Sequence, residues 1–329
     1  MAPNYFLSSS EKQYILDGCY DNCRVDGRTR DEFRLYTIVT SSESSDGSFE
    51  GHPPLILSNG SARLFFSASG TTATQILCSV KAELGHPADD RPSEGSIQIH
   101  VEDTLAAASS SRKKNEEERN YLQSILSELL APNLLDLKSL CIIPGLYAWT
   151  LNIDIMVLSG TAGNLVDASS HAVRAALQST LLPLVFPSTA PTSTNKSATG
   201  SSSTDLLLDS DISQAKQPVG LESAPVVITV TVCKSPSSAQ LLLLLDATLE
   251  EEACSHCQVH VAVAPGHDKG EEPVIYALRK TGLGSLPWAL LPDITNLAIQ
   301  SISKSKSSFR PANLTSASEA LLQEQFSVQ

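Results

Sequence analysis

Apolar and polar positions alternate in short blocks along this chain, and the blocks predict runs of strands broken by single helices. Residues 8–23 read as a helix, with Ser8, Ser9 and Ser10 available as caps before Glu11. Residues 33–39 alternate with the two-residue period of a strand. A polar stretch rich in Ser, Gly and Pro follows over 41–54. Strands are then expected at 61–67, 74–83 and 96–102, with Asn59-Gly60 and Gly70-Thr71 as hairpin turns beside the first of them. A loop of opposite charges, 112–118, leads into a helix whose Leu122, Ile125, Leu126, Leu129 and Leu130 share one face, and Pro132 ends it.

Two further strands, 137–143 and 147–158, flank Pro144-Gly145. A second helix is expected over 165–178 with Asn164 as its cap, and its Ala168, Ala172, Ala175 and Ala176 permit close approach to a sheet. The 187–222 stretch is low in complexity and reads as a flexible Ser/Pro-rich insertion. Strands resume at 225–233, 240–246, 259–264 and 274–280, followed by a helix at 286–302. Strands in runs, rather than strict βα alternation, indicate an α+β fold of mixed sheets packed with helices. The expected organisation is a first domain over 8–186, the insertion 187–222, a second domain over 223–303 and a mobile tail over 304–329.

Composition narrows the function classes. The chain has 329 residues, 41% of them hydrophobic, and a net charge of −13. That balance argues against a protein that grips nucleic acid alone, because phosphate affinity comes from clustered cations. It leaves room for a subunit whose partners supply the positive field. The first residues lack the basic start and apolar core of a signal peptide, and no apolar run approaches a bilayer-spanning length, so no membrane partner is expected. Seven scattered cysteines, an odd number, speak for a reducing compartment and against a disulfide framework.

The densest chemistry lies at 246–255, where an apolar run gives way to Asp246, Glu250, Glu251 and Glu252. Carboxylates at a strand end can hold a divalent ion or keep one acid protonated at neutral pH. Equally, the three glutamates suit the first turn of a helix, where the dipole favours negative charge. Cys254-Ser-His-Cys257, with His260 beyond, would need two more ligands for zinc, and buried structural thiols are the default. Neither a metal nor a cofactor is expected. Lys81, in an otherwise apolar strand, pairs with Glu83 at a surface or points into a polar channel. Arg112, Lys113 and Lys114 either touch phosphate or, beside the acids 116–118, form a solvated loop, the reading favoured by the pattern alone. P-loop, H-E-x-x-H and G-x-S-x-G motifs are absent.

Several segments resemble one family in order. Arg24-Val-Asp-Gly-Arg28 with Glu32-Phe33-Arg34 is similar to the R-x-D-G-R opening of RNase PH-like proteins. Gly60-Ser-Ala-Arg63, Gly70-Thr71 and Val80-Lys-Ala-Glu-Leu-Gly85 resemble the sheet segments that come next. Asp136–Cys141, Gly163–Ala168 and Asp246–Cys254 continue the series and narrow the likeness to RNase PH-like subunits of the eukaryotic RNA exosome ring. The resemblance implies a two-part fold of two subdomains. It also implies a place in a six-membered ring that supports 3′-to-5′ RNA processing and degradation, rRNA maturation and mRNA turnover included. The implied partners are other RNase PH-like ring subunits, RNA-binding cap subunits and single-stranded RNA, in nucleus, nucleolus and cytoplasm.

Active relatives degrade RNA by phosphorolysis, with arginines holding phosphate and acids in a D-x-x-x-x-E-D segment followed six residues later by Asp. Here Asp246, Glu251 and Glu252 fill the segment, with Glu in the third place, and the later position is Gln258. Arg119 is the one arginine matching those expected at the start of the long helix. The expectation is therefore a degenerate, catalytically inactive site. Lys81, Arg112, Lys113, Lys114 and Arg119 are the candidate RNA contacts. The alternative is a phosphate-dependent exoribonuclease active as a heterodimer, with Asp246 and Glu252 as acids and Arg119 as phosphate ligand.

Overall fold

Strand alternation sorts side chains into an inner and an outer set, and the inner set builds the core. The computed structural model describes residues 7–41, 55, 57–67, 73–103, 112–187, 206–209, 211–234, 240–266 and 272–305. The first sheet contains β1 (Tyr36–Thr40), β2 (Gly60–Ser67), β3 (Ala73–Gly85), β4 (Ser96–Asp103), β5 (Cys141–Ile143) and β6 (Tyr147–Gly160). Its order is β1-β2-β3-β6-β4, with β5 paired to β6, and only the β4–β6 pair is parallel. Ile76, Cys78 and Val80 of β3 and Leu151, Ile153 and Ile155 of β6 point inward and are buried, while Lys81, Glu83 and Asp154 point outward.

The second sheet is antiparallel throughout and runs β10-β9-β11-β12: β9 (Val226–Lys234), β10 (Leu241–Leu245), β11 (Ser255–Ala264) and β12 (Val274–Thr281). Two helices lie between the sheets. α3 (Leu165–Gln178) touches β2, β3 and β9, and α2 (Arg112–Leu129) touches β4 and β12. Ala168, Ala172, Ala175 and Ala176 of α3 are buried, so the small residues set the close approach. One core cluster accordingly joins Phe66, Ile76 and Ile153 of the first sheet to Val227 and Ala262 of the second. Outside this sandwich, α5 (Leu291–Ser305) lays Ile294, Ala298 and Ile302 on the far face of the second sheet. α1 (Ser9–Tyr20) packs Ile15, Leu16 and Cys19 against Cys233, Leu242 and Leu244, and Ser8 with Glu11 forms its capping box.

Local departures from the expected pattern have identifiable causes. The 112–118 stretch is not a loop: α2 begins at Arg112, in a run rich in Arg, Lys and Glu, all good helix formers. Leu137–Leu140 is a 3-10 turn rather than a strand, because the Asp136 side chain accepts from the Lys138 N–H at 3.1 Å. Asn59-Gly60 is no hairpin turn. Gly60 opens β2, and a Cβ there would lie 2.4 Å from Thr180 Oγ1 and 2.7 Å from the Ala176 carbonyl oxygen. Glycine is required at that point by the approach of the end of α3. Asn164 is left-handed at φ 54° and makes no side-chain cap, since its amide is directed elsewhere. Part of the expected insertion is folded: β8 (Leu206–Leu208) pairs with β7 (Val185–Pro187), and Lys216 bridges Leu182. Gly70-Thr71, residues 42–54, 188–205 and the tail beyond 305 lie outside the described residues. Among the described residues no helix is long and apolar enough to cross a membrane.

Leu126 of α2 is fully buried in the shared core. Leu126→Ala should lower the unfolding free energy by about 2–5 kcal/mol, read from urea denaturation at fixed slope.

Candidate functional site

The site forms where the end of β10 meets three arginines of the N-terminal segment. Asp246 follows β10 with φ 45° and no exposed surface. Its carboxylate accepts from Arg34 Nε (2.8 Å), Arg34 Nη2 (2.7 Å) and the Arg34 backbone N–H (2.8 Å). It also accepts from Arg28 Nη1 (2.8 Å) and Asn164 Nδ2 (2.6 Å). Burial pushes this acid up, but the Arg34 and Arg28 guanidiniums overcome it and hold Asp246 below the usual carboxylate range. Five donors exceed the roughly four lone-pair sites of a carboxylate, so Asp246 has no free acceptor to offer a substrate.

Glu251 is taken up in the same way. It belongs to α4 (Leu249–Ala253), whose N-cap Thr248 forms a capping box with it. Arg24 Nε and Nη2 donate to Glu251 Oε1 and Oε2 at 2.8 and 2.5 Å, a bidentate pair with both side chains buried. The same guanidinium donates to the carbonyls of Leu245 and Asp246 at 3.1 and 2.8 Å. One arginine thus clamps both ends of the β10–α4 turn.

Glu252 differs. Part of the residue is accessible, yet its carboxylate lies in the interior and accepts the Asn164 backbone N–H at 2.8 Å. Burial raises its pKa to about 7, Asn164 and Arg34 oppose the rise, and the nearby Asp167 and Asp246 add to it. Asp167, in the first turn of α3, is likewise raised to about 7 by burial. Asn164 donates to Glu252, Asp246 and Asp167, and so it gathers three acids at one point. Gly163 brings that loop onto α4, where a Cβ would lie 2.6 Å from the Leu249 nitrogen. Gln258 stands on β11 between Thr231 and Thr281.

The remaining candidates lie elsewhere. Lys81 is on the outer face of the first sheet, 2.6 Å from Glu83, beside a groove of about 370 Å³ that also holds Gln98, His100, Asn152 and Asp154. Arg112, Lys113 and Lys114 open α2, and Arg119 follows two turns later, 3.9 Å from Glu116. Cys254 and Cys257 are free thiols, and burial pushes Cys254 up to about 11, which leaves it a poor nucleophile at neutral pH. Among the described residues no His, Cys, Asp and Glu group is arranged to hold a metal ion. The sequence reading missed the pairing of Arg24, Arg28 and Arg34 with the acids. Its one available signal was four arginines within residues 24–34, set against an unbalanced acidic segment.

Residues 57–183 match the first domain of the RNase PH 3′ exoribonuclease family, and residues 226–271 match the second. The exosome complex component Rrp42 of Aeropyrum pernix is 30% identical over 239 residues, 72% of this chain and 75% of that protein. The chain belongs to the RNase PH family. Exosome complex component RRP45A of Arabidopsis thaliana is 26% identical over 278 residues, 84% of this chain and 77% of that one. In fold, this RNase PH-family chain is similar to a subunit chain from the Archaeoglobus fulgidus exosome with RNA bound to the active site. That match has a TM-score of 0.65 and 22% identity, and it covers 92% of this chain and 98% of the other.

Two predictions follow from the charges. Arg24→Met should cost about 3–5 kcal/mol because it strands a buried Glu251, and adding Glu251→Leu should recover most of that loss. Urea unfolding of both variants and of Glu251→Leu alone gives the coupling. Glu252 keeps a proton in the folded state that the unfolded chain has released between its ordinary 4.5 and about 7. Stability should therefore fall as pH rises through that window and then level off. Glu252→Gln should make the fall shallower, read as urea midpoints across the window.

Proposed function

We propose that this chain is a non-catalytic subunit of an RNA exosome ring, a member of the channel wall through which single-stranded RNA passes to a nuclease elsewhere. The observation that carries this reading is the neutralisation of Asp246 and Glu251 by the chain's own Arg24, Arg28 and Arg34. Phosphorolysis needs cations free to hold an attacking phosphate beside the RNA backbone, since both are anionic. Here Arg34 is already bound to Asp246, Arg119 lies beside Glu116, and the later acidic position is Gln258. Glu252 has a pKa suited to proton transfer near neutral pH, but among the described residues the cation nearest in effect, Arg34, is already committed to Asp246.

The relatives' names support the assembly part of this reading: both are exosome complex components, from an archaeon and a plant. The partners are then other RNase PH-like ring subunits, RNA-binding cap subunits and RNA. Arg112, Lys113, Lys114 and Arg119 on α2 and Lys81 on the first sheet are the proposed RNA contacts. The net charge of −13 suits a subunit whose neighbours supply most of the positive field. Such a subunit works where the eukaryotic complex does, in nucleus, nucleolus and cytoplasm.

Incubation with RNA and orthophosphate, alone and with a ring neighbour, should release no nucleoside diphosphate that depends on this chain's acids. Release that stops on Glu252→Gln would contradict the proposal and support the heterodimeric phosphorolytic enzyme instead.

A further inference from the structure

A second buried polar system runs beside the ion pairs and takes no part in them. Asp167 of α3 accepts the Thr229 hydroxyl at 2.5 Å on Oδ1, and the Thr229 backbone N–H at 3.0 Å on Oδ2. Thr229 Oγ1 lies 2.9 Å from His260 Nδ1 on β11, and His260 Nε2 lies 3.1 Å from Thr281 Oγ1 on β12. Asp167, Thr229 and His260 are all nearly or fully buried. The line crosses from a helix of the first half through three strands of the second.

Proton counting gives the line a direction. Thr229 has one hydroxyl proton, and the carboxylate at 2.5 Å is its stronger acceptor. His260 Nδ1 must then donate to Thr229, so the neutral ring carries its proton on Nδ1 and accepts from the Thr281 hydroxyl at Nε2. Every donor points toward Asp167 while that acid is ionised.

We propose that Asp167, Thr229, His260 and Thr281 form a reversible relay that takes up one proton at the Thr281 end: Thr281 gains a proton from solvent as it passes its own to Nε2, Nδ1 passes its proton to Thr229 Oγ1, and Thr229 passes its own to Asp167 Oδ1. With Asp167 protonated on Oδ1, its O–H donates to Thr229 Oγ1. The Thr229 hydroxyl donates to Nδ1, and Nε2–H donates to Thr281 Oγ1. One proton enters, none leaves, and the ring stays neutral in both states.

The surroundings fit a neutral ring and a titrating acid. Burial, and then Arg279, push His260 down to about 3, so it does not become imidazolium near neutral pH. Burial raises Asp167 to about 7. The groups facing the relay are Asn164, Asp246 and Glu252 on the Asp167 side. On the Thr281 side stand Arg279, which is held by Glu128 at 2.5 Å, and Tyr121. Asp246 is compensated by Arg34 and Arg28, so Asp167 and Glu252 are left as the acids free to take a proton. The buried Tyr121 hydroxyl of α2 lies beside Thr281 without a well-formed hydrogen bond. Reversal therefore changes what Thr281 presents to α2, and the acid cluster is linked to the helix that begins with Arg112. This inference does not depend on the assembly reading.

The test is long-range proton–nitrogen correlation on the full chain labelled at histidine nitrogens, with Thr229→Val and Asp167→Asn alongside and His260→Gln to assign the signals. Above about pH 7 the ring should show Nδ1–H, and well below it Nε2–H, without an imidazolium signature. Asp167→Asn, whose amide donates to Thr229, should hold Nε2–H throughout. Thr229→Val, which removes the hydroxyl link, should hold one tautomer at all pH, and it decides the matter alone if Asp167→Asn fails to fold. A wild-type tautomer that never changes, a charged ring, or a switch that survives Thr229→Val would overturn the relay.

Discussion

The fold depends on the meeting of one cationic segment with one acidic turn. Arg24, Arg28 and Arg34 lie within eleven residues of each other, and their partners Asp246 and Glu251 are 212 to 227 positions further along the chain. Arg24, Arg34, Asp246 and Glu251 are at most 6% exposed. Burying such charges costs several kcal/mol per ion, and only close hydrogen-bonded pairing offsets that cost. The pairing therefore dictates where the N-terminal segment lies, how β10 ends and where α4 begins. Arg34 adds a contact over the Phe66 ring at 5.3 Å, which carries the constraint into the core of the first sheet.

That constraint underlies our proposal that an RNase PH chain keeps its architecture here with its acids withdrawn from chemistry. A carboxylate that acts on substrate needs a free lone pair and a nearby cation for the attacking anion. Asp246 and Glu251 face inward instead, toward guanidiniums from their own chain. The acids that lack such partners, Glu252 and Asp167, respond as buried acids do and hold protons up to about 7. The same neighbourhood thus contains fixed charges that join the two halves and titrating groups that respond to pH. Asn164, in its left-handed conformation, touches both kinds.

Much of the secondary structure was legible because local pattern decides it. α3 occupies the residues its small apolar face predicts, and the β-branched run of β9 and the strand β12 lie within a residue or two of expectation. Where distant contacts decide, local reading failed. Asn164 looks like a cap, but its amide is drawn to Asp246, 82 residues away. Asn59-Gly60 looks like a turn, but the glycine serves the approach of α3. The acidic run was visible as candidate chemistry, and the R-x-D-G-R segment as family likeness. That one neutralises the other was not visible, since ion pairs between distant segments leave no periodic mark. The relay through Thr229 and His260 was hidden for the same reason: single polar residues on buried strands carry no motif.

The central proposal is that the acids are counter-ions to the chain's own arginines and leave no site for an attacking phosphate. Titrating the protein with orthophosphate and following phosphorus-31 line width and shift tests it most directly. The account predicts no saturable binding sensitive to Glu252→Gln or Arg119→Ala. Saturable binding lost in either variant would contradict it.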